Sequence, residues 1–155
     1  MSSLFSFLAP VPPMARLVGL LGLLPFIASG IGIWVSRLGD LRFALPLLAL
    51  AYSVLIGSFL GGVRWGAAMQ NNRADSQSRH FLMAVTPTLI GLVALMLPLP
   101  QAFTLLIVLF VAQAVLDIMA TQSGDLQSWY KPLRLTLTGG AVLALVSLLV
   151  HTLTH

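Results

Sequence analysis

The sequence has no cysteine and very little charge. Without cysteine the chain forms no disulfide and offers no thiolate nucleophile, iron–sulfur ligand or palmitoylation site. Charged residues make up only 8% of the 155 residues, whereas 58% are hydrophobic. A soluble domain usually carries about 25% charged residues because its surface faces water. The composition therefore disfavours a soluble domain and indicates an integral membrane protein.

The sequence also lacks any cluster of basic residues. Its net charge of +4 comes from single Lys and Arg residues at the ends of apolar runs. Nucleic-acid and anionic-lipid patches usually contain several neighbouring Lys or Arg residues, whereas single basic residues beside apolar runs determine membrane topology. We therefore expect contact with the lipid bilayer and no nucleic-acid partner.

Five apolar runs are long enough, or nearly so, to cross a membrane, which takes about 20 residues per helix. Their hydrophobic residues fall on every face, which favours helices over the alternating strands of a membrane barrel. The connections are too short to contain another domain. We predict an all-α single bundle over 1–155, with spans at about 17–35, 43–68, 81–97, 102–120 and 135–153.

Residues 1–15 are predicted to form a short interfacial lead-in before the first span. The segment lacks the basic start of a signal peptide, and its prolines at positions 10, 12 and 13 end any helix there. Its hydrophobic side chains are expected on the membrane surface: Leu4, Phe5, Phe7 and Leu8.

The basic residues predict which ends of the spans face the cytoplasm, the side that usually carries more Lys and Arg. Two basic residues, Arg37 and Arg42, lie on one side of the membrane. Five lie on the other, which we assign to the cytoplasm together with the N-terminus: Arg16, Arg73, Arg79, Lys131 and Arg134. The C-terminus is then periplasmic, and the predicted location is the bacterial inner membrane.

The stretch GSFLGGVRWG, at 57–66, concentrates glycine near the end of the second span. It lacks both the strand–turn–helix context and the GxxxxGK[ST] pattern of a phosphate-binding loop. Glycines four residues apart instead allow close helix packing in membranes. At 100° per residue, one narrow stripe contains Arg64 and several small residues. The predicted packing face comprises Ser53, Gly57, Gly61 and Ala68, with Gly62 and Gly66 as a second pair on another side.

The charge of Arg64 indicates a second feature of this face. An arginine near a helix end can extend its guanidinium to the interface, but on a small-residue face it points into the bundle and needs a partner. Asp117 is the one acidic residue within a predicted span, and Gln113 lies one turn away on the same face. We predict a polar cluster of Arg64, Asp117 and Gln113, structural or ligand-binding, with His80 nearby.

No arrangement typical of a catalytic or metal site can be assembled from the sequence. There is no Ser-His-Asp set, HExxH motif or carboxylate pair, so an enzyme is disfavoured and no cofactor is expected. His151 and His155 are four residues apart on the last helix, but the end of a chain usually frays. We therefore predict no metal site.

Four stretches in order along the chain resemble one known family. They are GLLPF at 22–26, SFLGGVRWG at 58–66, TPTLIG at 86–91 and WYKPLRLTLT at 129–138. The family is a bacterial domain-of-unknown-function family of small multi-span inner-membrane proteins that also includes the mitochondrial transmembrane protein sixty-nine. The resemblance implies an inner-membrane bundle and no established activity. Histidine is frequent in that family at the position of Arg64, and arginine cannot titrate near neutrality, which disfavours a proton relay here.

Two functional hypotheses remain. The first is an accessory, assembly or stabilising component of a larger membrane complex, with other membrane subunits or a second copy as partners, because small-residue surface exceeds what one bundle needs. The alternative is a carrier or binding protein for a lipid or small hydrophobic ligand. It would use the Arg64/Asp117 region and the third span, where Pro87 predicts a kink.

Overall fold

The computed structural model describes residues 7–35, 39, 41–70 and 74–154, with side chains omitted at 41–43 and 74–76. Within these ranges the chain forms six helices and no strand. They are α1 (Pro13–Leu21), α2 (Leu24–Gly32), α3 (Leu41–Gln70), α4 (Ala74–Leu95), α5 (Leu99–Gln122) and α6 (Tyr130–Thr154). The all-α prediction is confirmed for this part of the chain.

Five helical segments have the length and apolar composition to cross a membrane. They are Pro13–Gly32, Ala44–Gln70, Gln77–Leu95, Leu99–Gln122 and Tyr130–Thr154. The prediction of five helical segments long and apolar enough to cross a membrane is therefore confirmed, with shifted boundaries. Which side of the membrane each end faces stays a prediction. The α3–α4 and α5–α6 connections and the start of α1 belong to the same end of the bundle, which we call the polar end.

The first span is two helices, not the single helix predicted over 17–35. Proline has no N–H, and its ring clashes with the carbonyl one turn earlier, so a helix tends to break just before it. Pro25 lies in the first turn of α2, and α1 ends one turn before it at Leu21. The hydroxyl of Tyr52, on α3, donates a hydrogen bond to the carbonyl of Gly22 at 2.8 Å and so anchors this break.

Two predicted connections are shorter than expected because hydropathy marks where a span ends and not where the helix ends. We predicted a connection over 70–80, but α4 already begins at Ala74. Its first turns, ADSQSRH, are polar yet contain no glycine or proline to stop a helix. The connection predicted at 121–134 is shortened in the same way, since α6 begins at Tyr130 and accommodates Pro132 in its first turn.

The core lies between α2, α3, α5 and α6. Phe26, Phe103, Phe110 and Leu145 are almost completely buried there. Gly30 of α2 lies so close to Ala144 of α6 that an added Cβ would be 3.0 Å from the Ala144 Cα. Helices α3 and α4 pack along each other, as do α5 and α6, whereas α3 and α6 make no extensive direct contact. A space between α3 and α6 results.

The described part of the N-terminal segment packs partly into the bundle. Leu8 and Val11 are buried against Leu133 of α6, with Trp129 beside them. Leu8 therefore does not lie on the membrane surface as predicted, whereas Phe7 is exposed. Leu4 and Phe5 lie outside the described residues.

Candidate functional site: an ionic triad beside a lateral cavity

One buried carboxylate joins two buried arginines at the polar end. The Asp117 Oδ1 atom lies 2.8 Å from Arg64 Nη2, and Asp117 Oδ2 lies 2.8 Å from Arg134 Nε. The three side chains, which we call the ionic triad, are only 3–4% exposed. They come from α3, α5 and α6, so the triad connects three helices at one depth.

The triad carries one excess positive charge, because two guanidinium groups share one carboxylate. Arg64 and Arg134 have no other ion pair with any carboxylate in the described part of the chain. Arg64 Nη1 instead lies 3.5 Å from the sulfur of Met83, a weak acceptor. A charge inside a membrane is costly unless it is paired, so the excess charge is an unfavourable feature of the described bundle.

The sequence led us to pair Arg64 with Asp117, but it did not lead us to Arg134. We counted Arg134 among the cytoplasmic topology signals, whereas it is a buried partner of Asp117. The number of basic residues that support the predicted orientation therefore falls from five to four on the cytoplasmic side, against two on the other side. A signal was present: Pro132 is typical of a first helical turn, which places Arg134 inside the helix, and small residues at 138 and 141 share its face.

The other predicted polar residues lie near the triad without joining it. Gln113 is buried, and its Oε1 atom has no hydrogen-bond partner in the described part of the chain. His80 is also buried, with its Nε2 atom 3.3 Å from Asp125 Oδ2. His80 therefore connects α4 to the α5–α6 connection, and within the described residues no hydrogen bond or ion pair joins it to Arg64 or Asp117.

The predicted small-residue face contacts two helices. An added Cβ at Gly61 would collide with the backbone carbonyl of Ala84 on α4. An added Cβ at Gly57 would lie 3.7 Å from Leu109 of α5, an ordinary contact. Ser53 is fully buried and donates to the Ala49 carbonyl at 2.6 Å.

The remaining small residues behave differently from one another. Ala68 is completely buried. Around Gly62 and Gly66, by contrast, no described atom lies within 4 Å of an added Cβ, so this second pair does not pack against another helix of the described chain.

A cavity of about 500 Å³ occupies the space between α3 and α6. Residues of α1 and α2 form one wall, and Phe110 of α5 contributes to the lining. Val18 of α1 and Phe59 of α3 also line it and are 62% and 68% exposed. Both belong to membrane spans, so the cavity opens sideways toward the bilayer.

The cavity extends from the polar end to about the middle of the bundle. On α6 its lining runs from Tyr130 to Ala141. At 1.5 Å per residue this distance is about 16 Å, roughly half of the ~30 Å hydrocarbon core of a bilayer. The lining is apolar for most of that length, and its polar groups are few.

Three polar groups without partners lie along the α6 wall of the cavity, from Tyr130 at the polar end to Thr138 about 12 Å deeper. Arg134 Nη2, the Tyr130 hydroxyl and the Thr138 hydroxyl are buried and have no hydrogen-bond partner in the described chain. All three residues line the cavity. Spaced four residues apart, they lie within an arc of about 80° on α6.

The ligand-binding hypothesis expected the third span to form part of the site, but the cavity does not involve that span. None of its lining residues belongs to α4, and Pro87 lies within an uninterrupted helix. The Thr86 hydroxyl donates to the carbonyl of Leu82 at 2.8 Å within the same helix. The ligand-sized space instead results from the separation of α3 and α6.

Metal-ligating residues do not cluster in the described part of the chain, where no group of three or more His, Asp or Glu side chains could hold an ion. The ring of His151 packs edge-on against Trp34, with 5.0 Å between ring centroids. His155 lies outside the described residues, so the prediction that His151 and His155 form no metal site is not tested.

The profile of a family described as "Protein of unknown function (DUF3429)" matches residues 11–150, a range that contains the triad and the cavity lining. The chain belongs to the DUF3429 family. This DUF3429 protein is 31% identical over 146 residues to transmembrane protein 69 of Xenopus tropicalis. The aligned region is 94% of this chain and 57% of that relative, so the chain spans little more than half the relative's length.

These findings confirm the family predicted from the four sequence stretches, a DUF family that includes transmembrane protein 69. They also support a membrane protein with several spans. No solved structure matches the chain.

Proposed function

We propose that this protein binds or carries a lipid-like ligand with one hydrocarbon chain. The observation that carries the proposal is the lateral cavity between α3 and α6. Its volume of about 500 Å³ falls within the ~300–1,000 Å³ typical of small-molecule sites, which are mostly apolar with a few placed polar groups. In this proposal the protein binds its ligand and does not transform it.

The shape of the cavity supports a ligand from one leaflet. Its length, roughly half of the hydrocarbon core, matches one extended acyl chain whose head lies at the polar end. The exposed side chains of Val18 and Phe59 flank an entrance at span depth. A lipid can therefore enter from the bilayer without passing through water.

Contacts between helices lie at both ends of the cavity. The triad connects α3 and α6 through Asp117 at the polar end. Deeper in the membrane, Tyr52 and Phe26 pack edge-on with 5.1 Å between ring centroids and close the inner end of the cavity. The space between these two contacts is where the acyl chain is proposed to lie.

Photolabelling tests the proposal directly. The purified protein in phosphatidylcholine nanodiscs is exposed to a diazirine-bearing hexadecanol, and the labelled residues are mapped by peptide mass spectrometry. We expect label on cavity residues such as Ile56 and Leu137. Ile56→Trp fills the cavity and should abolish that label, whereas Leu55→Trp, a matched change on the exposed neighbouring position, should leave it. Label confined to bilayer-facing residues in all three proteins would contradict the proposal.

An accessory role in a larger membrane complex is the second candidate, favoured by the uncovered Gly62–Gly66 pair. Glycines four residues apart permit a close approach of another helix. Because the chain has no cysteine, Gly62→Cys supplies a unique cross-linking position, with the exposed Leu143→Cys as the control. An accessory role predicts a cross-link to one defined protein from Gly62→Cys alone. Equal, unspecific cross-linking from both positions would remove the support.

Location in the bacterial inner membrane with a cytoplasmic N-terminus belongs to the same proposal. Four basic residues against two support that orientation after Arg134 is removed from the count. The polar end, and with it the head of the ligand, then faces the cytoplasmic leaflet.

A further inference from the structure

The positive charge at the polar end of the cavity is only half neutralised. Asp117 contacts both Arg64 and Arg134, so one positive charge remains without a counter-charge in the described chain. Of the two arginines, Arg134 lines the cavity and Arg64 does not. The excess charge therefore lies at the cavity wall through Arg134, whose guanidinium is buried there.

The unpartnered groups also indicate the chemistry of the missing partner. A guanidinium nitrogen can only donate hydrogen bonds, and hydroxyl groups can donate as well as accept. Arg134 Nη2 and the hydroxyls of Tyr130 and Thr138 are buried without partners, which is costly unless something in the cavity accepts from them. A negatively charged group with several acceptor atoms can accept from the two donors at the polar end, Arg134 Nη2 and the Tyr130 hydroxyl.

We propose that the ligand head is a single oxyanion, bound by Arg134 with Tyr130 at the polar end of the cavity, so that the ligand is an anionic amphiphile with one acyl chain. This inference rests on the proposed function and specifies its substrate class. One negative charge brings the triad and its ligand to neutrality. Arginine binds carboxylate and phosphate oxygens especially well because its planar donors match two oxygens at once.

Paired photoprobes separate the head group from the chain. Diazirine-bearing palmitic acid and diazirine-bearing hexadecanol have similar chains, and only the first carries a negative charge. In phosphatidylcholine nanodiscs we expect palmitic acid to label the cavity at a concentration about tenfold or more below that needed for hexadecanol, as a charge-assisted hydrogen bond implies. Unlabelled palmitate and lysophosphatidate, added as competitors, show whether carboxylate or phosphate is the preferred oxyanion. Acetate, which has the head without the chain, should not compete.

Tyr130→Phe is the sharpest variant because the Tyr130 hydroxyl has no partner within the described chain. Its removal costs the folded protein no intramolecular hydrogen bond. We expect Tyr130→Phe to weaken palmitic acid labelling about tenfold and to leave hexadecanol labelling unchanged. Thr136→Val is the control, since the Thr136 hydroxyl donates to the Pro132 carbonyl at 3.0 Å and does not line the cavity.

The outcomes distinguish the two proposals. If both probes label the cavity equally and Tyr130→Phe changes neither, the oxyanion inference is wrong and the cavity still binds a chain. If acetate displaces palmitic acid at the same concentration as palmitate does, the site binds any small anion and the amphiphile inference is wrong. If neither probe labels the cavity, the proposed function fails together with the inference.

Discussion

Replacing Asp117 by Asn is the most informative perturbation of the triad. Asn keeps the shape of the side chain but removes the charge that holds both arginines. At a separation of about 4 Å between charge centres and an effective dielectric constant of about 20, each ion pair corresponds to about 4 kcal/mol of attraction before desolvation. Breaking a buried pair usually costs ~3–5 kcal/mol because the remaining charge is left unpaired. Here two charges are left and they repel each other, so we expect a loss of about 5 kcal/mol or more.

Replacing either arginine should lower the free energy of unfolding less than Asp117→Asn does, because the two arginines share one carboxylate. Arg64→Gln leaves Arg134 and Asp117 as a neutral pair, and Arg134→Gln leaves Arg64 and Asp117. Each change removes one attraction but also the repulsion between the two guanidinium groups. We therefore expect a loss of about 1–3 kcal/mol for either variant, set by the lost charged hydrogen bond.

Reversible unfolding in mixed dodecyl maltoside and SDS micelles, followed by circular dichroism, measures these differences. Thr104→Val is a suitable control, because the Thr104 hydroxyl is exposed and bonds only the Pro100 carbonyl of its own helix. If Asp117→Asn costs no more than either arginine variant, the carboxylate is not shared. In that case the inferred excess positive charge is wrong too.

Three further predictions concern packing and orientation. Gly61→Ala should lower the free energy of unfolding by about 1–3 kcal/mol, because the added methyl group collides with the Ala84 carbonyl. Gly62→Ala, whose added Cβ meets no described atom outside its own helix backbone, should raise it by about 0.5–1 kcal/mol in the same assay. Equal effects would contradict the described packing. Tyr52→Phe should lower the free energy of unfolding by about 0.5–1.5 kcal/mol and speed amide hydrogen exchange at the start of α2, because it removes the hydrogen bond to the Gly22 carbonyl between α1 and α2. Unchanged exchange would show that this bond does not stabilise the break. An alkaline phosphatase fused to the C-terminus should be active, since the predicted orientation places that end in the periplasm, and an inactive fusion that is nevertheless expressed would reverse the topology.

The number of spans could be predicted because it depends on composition alone. A bilayer requires about 20 apolar residues per helix, and five such runs are visible in the sequence. Helix ends were harder to predict. Hydropathy cannot distinguish the end of a span from the end of a helix, so the polar turns from Ala74 to His80 were assigned to a loop.

The candidate site could be predicted only in part. Arg64 and Asp117 were paired because each is a charge within an apolar helix and both lie near the same end. Arg134 was missed because the same sequence signal, a basic residue near a helix end, fits both a topology determinant and a buried ion. The cavity was missed because it depends on which helices fail to touch, and periodicity within one helix carries no information about that separation.

Native mass spectrometry of the protein released from its own membranes tests the proposed lipid binding. We expect one anionic single-chain lipid retained per protein chain. Tyr130→Phe, folded and expressed at the same level, should retain much less of that lipid, whereas Thr136→Val should retain it fully. A wild-type protein that carries no retained lipid, or that carries neutral and anionic lipids in the proportions of the membrane, would contradict the proposed binding of an anionic lipid.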